Sequence, residues 1–291
     1  MDLQPQGGLA VRSATAEEFA VAIGWACDEG WNPGLADLEA FFAADSAGFL
    51  MGFAEGKPVS SISVVRYGED HGFLGFYIVD PEARGRGFGM ATWSAGMACL
   101  DNRTVGLDGV VAQQNNYKRS GFRLVGRNIR FTGVPKPPEA RESAVMIGRA
   151  RVKDSGLIET FDREAFGAPR PDFLRSWVFA APEAARTTLA AFDSGDLAGF
   201  ATIRRCVTGC KIGPLFANNR HAAEALFSAC CAEAGPGEEI TLDVPETNRQ
   251  AMMMAQSAGL EPVFETARMY RGPAPDLPWP KIFGVTSFEL G

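Results

Sequence analysis

Phe76-Tyr77-Ile78-Val79-Asp80-Pro81-Glu82-Ala83-Arg84-Gly85-Arg86-Gly87-Phe88-Gly89-Met90-Ala91 is the stretch that decides how the rest of the chain is read. An apolar run from Phe73 to Val79 reads as a strand and stops at Pro81. A basic, glycine-spaced turn follows, and then a helical pattern from Phe88 to about Leu100. Strand, turn and helix in that order present the free N–H groups of a helix N-terminus together, and Gly85, Gly87 and Gly89 remove side chains that would block a ligand. Arg84 and Arg86 add formal charge to the helix dipole. The stretch calls for an anionic, phosphate-bearing cofactor.

Two common phosphate loops do not fit. A P-loop needs Gly-x-x-x-x-Gly-Lys-Ser/Thr, and no Lys follows these glycines. A dinucleotide fold needs Gly-x-Gly-x-x-Gly beside the first strand, whereas here the glycines come after at least three strand-like segments. The spacing Arg84-x-x-Gly87-x-Gly89 instead resembles the pyrophosphate loop of the GCN5-related N-acetyltransferases (GNAT), where Arg/Gln-x-x-Gly-x-Gly/Ala receives coenzyme A. The flanks extend the likeness over residues 9 to 134. Leu9 to Thr15 reads as a first strand entering a helix, with Thr15-x-x-Glu18 as a capping box. Thr104 to Asp108 reads as a later strand, and Tyr117 stands just before the pair Gly121-Phe122.

The resemblance implies acetyl-CoA as donor, bound by Tyr77, Ile78 and Val79 on the strand and by Arg84, Gly85, Arg86, Gly87, Phe88, Gly89 and Met90 on the loop. Backbone N–H groups at Tyr77 to Val79 would hold the thioester carbonyl, with Val79 the first choice of donor. Tyr117 is the candidate general acid, with ring packing against the cofactor as the alternative. Asp108, at a strand end near the expected cleft, is the candidate base, or else caps the turn at Gly109. His71 lies in Gly68-Glu-Asp-His-Gly72, which reads as a solvated hairpin turn. Trp31 and Asn32, between two helical segments, are the candidate acceptor contacts; Trp31 equally suits a buried helix corner.

Composition sets the wider bounds. The chain has 291 residues, is 46% hydrophobic and carries a formal net charge of −7. An acidic balance argues against a nucleic-acid surface and allows a cationic substrate. No leader is legible at Met1 to Gly8, and no apolar run approaches the ~20 residues that span a bilayer, so a cytoplasmic location is expected. Cys206-x-x-x-Cys210 has no second ligand pair, and no metal site is expected.

The proline-rich stretch from Val134 divides the chain. Beyond it, Leu107-Asp108 returns as Leu242-Asp243, Gly121-Phe122 as Gly259-Leu260, and Tyr77 to Pro81 as Lys211 to Pro214. If Pro81 matches Pro214, then Ala217, Arg220 and Ala222 stand where Arg84, Gly87 and Gly89 do. The expectation is a mixed α/β protein of two tandem GNAT-like domains, each a twisted mixed sheet flanked by helices. Residues 1–134 would carry the acetyl-CoA site, 135–153 would link, and 154–291 would form a degenerate copy. Glu29 to Gly34, Leu107 to Phe122, Ile212 to Phe216, Arg268 to Arg271 and Phe283 to Leu290 resemble tandem acetyltransferases of the YitH-like type. The function so implied is acetyl transfer to a small-molecule amine or amino-acid derivative; the alternative is a non-catalytic acyl-CoA sensing module. The oligomeric state is not legible.

Overall fold

The computed structural model describes residues 8–136, 145–181 and 184–291. The first half runs β1 (Leu9–Ser13), α1 (Ala16–Asp28), α2 (Asp37–Ala44), β2 (Phe49–Ala54), β3 (Lys57–Tyr67), β4 (His71–Val79), α3 (Phe88–Ala98), β5 (Thr104–Val110), α4 (Gln114–Arg119) and β6 (Arg123–Gly133). The second follows the same plan: β7 (Met146–Arg149), α5 (Ser155–Phe166), α6 (Pro171–Val178), β8 (Arg186–Asp193), β9 (Asp196–Arg205), β10 (Cys210–Ala217), α7 (Arg220–Ala234), β11 (Ile240–Pro245), α8 (Arg249–Ser257) and β12 (Glu261–Arg271). A short β13 (Ile282–Gly284) comes last.

Local chemistry explains several boundaries. Thr15 and Glu18 close the capping box on α1, Thr15 Oγ1 accepting from the Glu18 N–H at 3.2 Å and Glu18 Oε2 from the Thr15 N–H at 3.0 Å. Glu55 and Gly56, at φ 51° and 76°, make the two-residue turn that joins β2 to β3. Strand periodicity then sorts the side chains. Phe49, Met51, Val65, Tyr67 and Phe73 face α1, α2, α5 and α6, while Leu50, Val64 and Leu74 face α3 on the other side. The first of these cores belongs to both halves: Phe41 of α2 stacks on Trp177 of α6 at 5.9 Å. Each such buried aromatic contributes on the order of 1.5–3 kcal/mol of transfer free energy.

All strands join one sheet in the order β1-β2-β3-β4-β5-β12-β6-β11-β10-β9-β8-β7, with β13 on β10. The halves have therefore exchanged their last strands. β12 lies between β5 and β6, and β6 lies between β12 and β11. Antiparallel pairing satisfies the backbone of either strand equally with its own half or the other. Of the expected linker, residues 137–144 lie outside the described residues, and Met146–Arg149 within its remainder pairs with β8 as an edge strand. Among the described residues no helix is long and apolar enough to cross a membrane.

The repeat landmarks fall unevenly. Asp108 and Asp243 occupy matching places on β5 and β11, and Gly121 and Gly259 make matching turns at φ 87° and 83°. The pairing of Pro81 with Pro214 does not hold. Pro81 opens a 3₁₀ turn after β4, whereas Pro214 lies inside β10, where its register with β9 slips between Ile212 and Leu215. The counterpart in the first half is the slip of β4 against β3 at Phe76 and Tyr77. Measured from the slip, the second half reaches its helix sooner, and the loop bearing Arg84 and Gly87 has no equivalent there.

Candidate active site

Parallel β4 and β5 pair from His71 opposite Thr104 to Leu74 opposite Leu107, then part. At the same point β4 bulges. Gly75 sits opposite Ser63 and Ile78 opposite Ser61, so Phe76 and Tyr77 together face a single residue of β3. Phe76 takes φ 43°, and its carbonyl accepts from Ser61 Oγ at 2.7 Å. The bulge releases main-chain groups of Phe76 and Tyr77 from the regular ladder, ahead of Val79, whose carbonyl accepts from Arg84 Nε at 3.0 Å. The opening holds a cavity of about 370 Å³.

The glycine loop forms the mouth of this cavity. Gly85 and Gly87 take φ 78° and 83°, and a Cβ on either would meet open space. Gly87 is the N-cap of α3, which has no side-chain cap, so the first-turn N–H groups are left for a ligand. Gly89 serves packing instead: a Cβ there would lie 2.9 Å from Tyr77 Oη and 3.0 Å from Val79 Cγ2. Arg84 folds back to Glu29 Oε1 at 2.5 Å, and Arg86 covers the Phe88 ring at 4.6 Å. Met90 is exposed. The loop thus offers an anion open space and an uncapped helix terminus, with Arg84 paired to Glu29, and the splay behind it suits an extended arm.

Tyr117, on α4, reaches the cavity and stacks on Trp93 at 5.7 Å. Gly109 is needed for this, since a Cβ there would run into the Tyr117 ring. Burial pushes the Tyr117 phenol up to about 12. Asp108 also lines the cavity, but it presents no free carboxylate. Its Oδ2 accepts from Arg268 Nη2 at 2.6 Å, and its Oδ1 from Arg268 Nε at 2.8 Å and Asn128 Nδ2 at 2.7 Å. Its side chain is fully covered, and burial raises its carboxyl above the ordinary range against the opposing pull of Arg268 and Asn128. The carboxylate in turn drives the Arg268 guanidinium further up from its ordinary range against the cost of burial.

Trp31 lines the cavity beside Phe76, at 6.4 Å between rings. Its carbonyl is held by Arg130 Nη1 at 3.0 Å and Lys211 Nζ at 2.7 Å. Asn32 turns away: at φ 51° it bonds the main chain of Thr208 through both side-chain polar atoms, at 2.8 and 2.9 Å. The structure therefore separates the two expected acceptor contacts, because Asn32 is engaged by the second half. His71 is no solvated turn residue. It begins β4, is buried, and packs on Phe166 at 5.6 Å. Sequence reading missed Glu29, Arg130, Thr266, Phe264, Phe288 and Glu289, which also line the cavity. All but Glu29 and Arg130 come from the second half, and no local motif marks them.

The matching place in the second half is closed. β10 and β11 pair from Cys210 to Ile212 and then part, but β13 enters the gap, pairing with β10 at Leu215 and Phe216. The Val285 N–H completes the plug by bonding the Asp243 carbonyl at 2.9 Å. The Asn219 side chain caps α7, accepting from the Ala222 N–H at 2.9 Å. Slot and helix terminus are both filled by the chain itself.

Comparison with known proteins bears on the family. Residues 15–122 match the acetyltransferase (GNAT) family and residues 158–284 an acetyltransferase (GNAT) domain. The chain is 34% identical over 281 residues to holothin acyltransferase of Pseudoalteromonas sp. (strain SANK 73390), covering 96% of this chain and 94% of that protein. Its fold is similar to that of a Pyrococcus horikoshii protein described as an acetyltransferase, with a TM-score of 0.83 at 20% identity over 100% of this chain and 99% of the other. It is also similar to a tandem GNAT protein from the clavulanic acid biosynthesis pathway, with a TM-score of 0.64 at 13% identity over 91% and 99%. With both halves matched and a relative of that identity along nearly its whole length, the chain belongs to the GCN5-related N-acetyltransferase family, as a tandem-domain acyltransferase.

Proposed function

We propose that the chain transfers an acetyl group from acetyl-CoA to the nitrogen of a small-molecule amine, with the donor bound by the first half alone. The observation that carries this reading is the contrast between the two helix termini. α3 begins uncapped at Gly87 under open space, while α7 is capped by Asn219 and its slot is filled by β13. The name of the 34% identical relative supports acyl transfer as the reaction class.

Acetyl-CoA would supply an activated acyl group on a thiol leaving group. The first-turn amides of α3, with Arg84 and Arg86, would hold its phosphates, and the amides freed by the bulge at Phe76 and Tyr77 would polarise the carbonyl. An alkyl ammonium must lose a proton at a cost of about 4–5 kcal/mol at pH 7. Asp108 is committed to Arg268 and positions β5. Tyr117, which lines the cavity, would be the group to donate to the departing sulfur. With its phenol at about 12, full transfer of its proton to a thiolate is uphill by about 5 kcal/mol, so Tyr117 acts chiefly as a hydrogen-bond donor.

The experiment is amine-dependent release of free thiol from acetyl-CoA by the purified chain, run beside longer acyl-CoA donors. Thiol release that follows amine concentration and is fastest with the acetyl donor is expected. Acyl-CoA binding with no thiol release across a broad amine panel would contradict the reading.

A further inference from the structure

After plugging the second half, the chain returns along the open end of β4. Arg170 Nη2 donates to Thr286 Oγ1 at 2.7 Å and Nη1 to the Gly291 carbonyl at 3.2 Å. Tyr67 Oη donates to the Leu290 carbonyl at 3.0 Å. The tail lies so close to the splay that a Cβ on Gly75 would collide with the main chain of Glu289. Held on both sides, Phe288 and Glu289 line the cavity.

Glu289 differs from the other acids there. Asp108 is held by Arg268 and Asn128, and Glu29 by Arg84. Glu289 is only 5% exposed, yet no hydrogen bond or ion pair holds its carboxylate among the described residues. Arg130, Lys211 and Arg204 act on it at longer range, each already bonded to Asp243, the Trp31 carbonyl or Asp37. The Glu289 carboxylate oxygens are not among the sealed polar atoms without a partner, so they remain open to the cavity that Glu289 lines. The cavity lining includes four aromatic rings, Trp31, Phe76, Phe264 and Phe288, with the Arg130 guanidinium over the last two at 5.8 and 4.7 Å.

We propose that Glu289 is the catalytic base and that, with these walls, it selects a primary amine carried on an aromatic or apolar group. This rests on the acyl-transfer reading above. Glu289 receives the acceptor as an ammonium ion and takes one of its protons. The freed lone pair forms the C–N bond to the acyl carbon as the C–S bond breaks. The second nitrogen proton passes to the departing sulfur, giving amide and thiol, and Glu289 returns its proton to solvent. The second half thereby supplies the base for the first half's donor site.

Full-length wild type, Glu289→Gln and Glu289→Asp are assayed with acetyl-CoA and phenethylamine, and acetyl-CoA affinity is measured separately by calorimetry. Glu289→Gln is expected to lower kcat by about 100-fold or more, with acetyl-CoA affinity kept within about 2-fold and partial recovery in Glu289→Asp. Wild-type KM for ethylamine is expected to exceed that for phenethylamine by about 10-fold, for want of the aromatic contact. Wild-type turnover in Glu289→Gln overturns the base assignment and leaves acyl transfer standing. Parallel loss of acetyl-CoA affinity and turnover overturns it in favour of a structural role. Failure of wild type to acylate phenethylamine while binding acetyl-CoA overturns the acceptor class, and failure to bind acetyl-CoA removes the underlying function itself.

Discussion

Arg268 of the second half faces Asp108 of the first across the β5–β12 ladder and grips its carboxylate with two hydrogen bonds of 2.6 and 2.8 Å. The pair recurs across β6 and β11, where Arg130 of the first half grips Asp243 of the second at 2.7 and 2.8 Å. Two matching ion pairs thus join the halves. All four side chains are buried, so removing one partner strands a desolvated charge. Asp108→Asn and Asp243→Asn should each lose about 3–5 kcal/mol in urea titrations. The two losses should be nearly additive if the pairs act independently.

Tyr117→Phe removes a hydroxyl and leaves the ring that stacks on Trp93. A fall in kcat of about 10–100-fold with acetyl-CoA KM within about 2-fold is expected. Because burial holds the phenol near 12, Tyr117 keeps its proton through the alkaline range of an assay. The kcat of wild type should therefore show no Tyr117 limb up to pH 10.

His71 sets a stability gradient in acid. Burial, aided by Arg268, Arg170 and Arg103, lowers its imidazole to about 4. An unfolded chain takes up that proton near 6.5, so between these values the unfolded state binds more protons and stability rises with pH. The contribution is complete above 6.5 and falls by up to about 3 kcal/mol as pH drops to 4. Urea titrations from pH 7 to 4 should show this slope in wild type and a shallower one in His71→Leu.

Part of the local structure around this cavity was legible from the chain alone. Strand, glycine turn and helix at 73–98 follow from adjacent residues, as does the Thr15 cap, whereas the packing of Tyr117 into the space left at Gly109 is visible only in the fold. What was not legible is non-local. The patterns of β6 and β12 do not say which half each completes, and Asp108 lies 160 positions from Arg268. A proline match placed Pro214 against Pro81, whereas the register slip is the structural landmark. Glu289 carries no motif, because its role comes from the path of the tail past Gly75.

Asn219→Ala uncaps α7. About 1 kcal/mol of stability should be lost. No second acetyl-CoA site should appear, because β13 still fills the slot between β10 and β11. Two bound acetyl-CoA molecules per chain in this variant would show that the cap, and not the plug, closes the second half.

Calorimetric titration of acetyl-CoA into wild type and Gly87→Val bears most directly on where the donor sits. Gly87 takes φ 83°, and a Cβ there has no protein atom within 4 Å. The substitution therefore strains the loop by about 1–2 kcal/mol and obstructs the ligand without a clash in the core. One acetyl-CoA per wild-type chain and no measurable heat in a folded Gly87→Val chain is the expected result. Two sites in wild type, or unchanged binding in the variant, would contradict it.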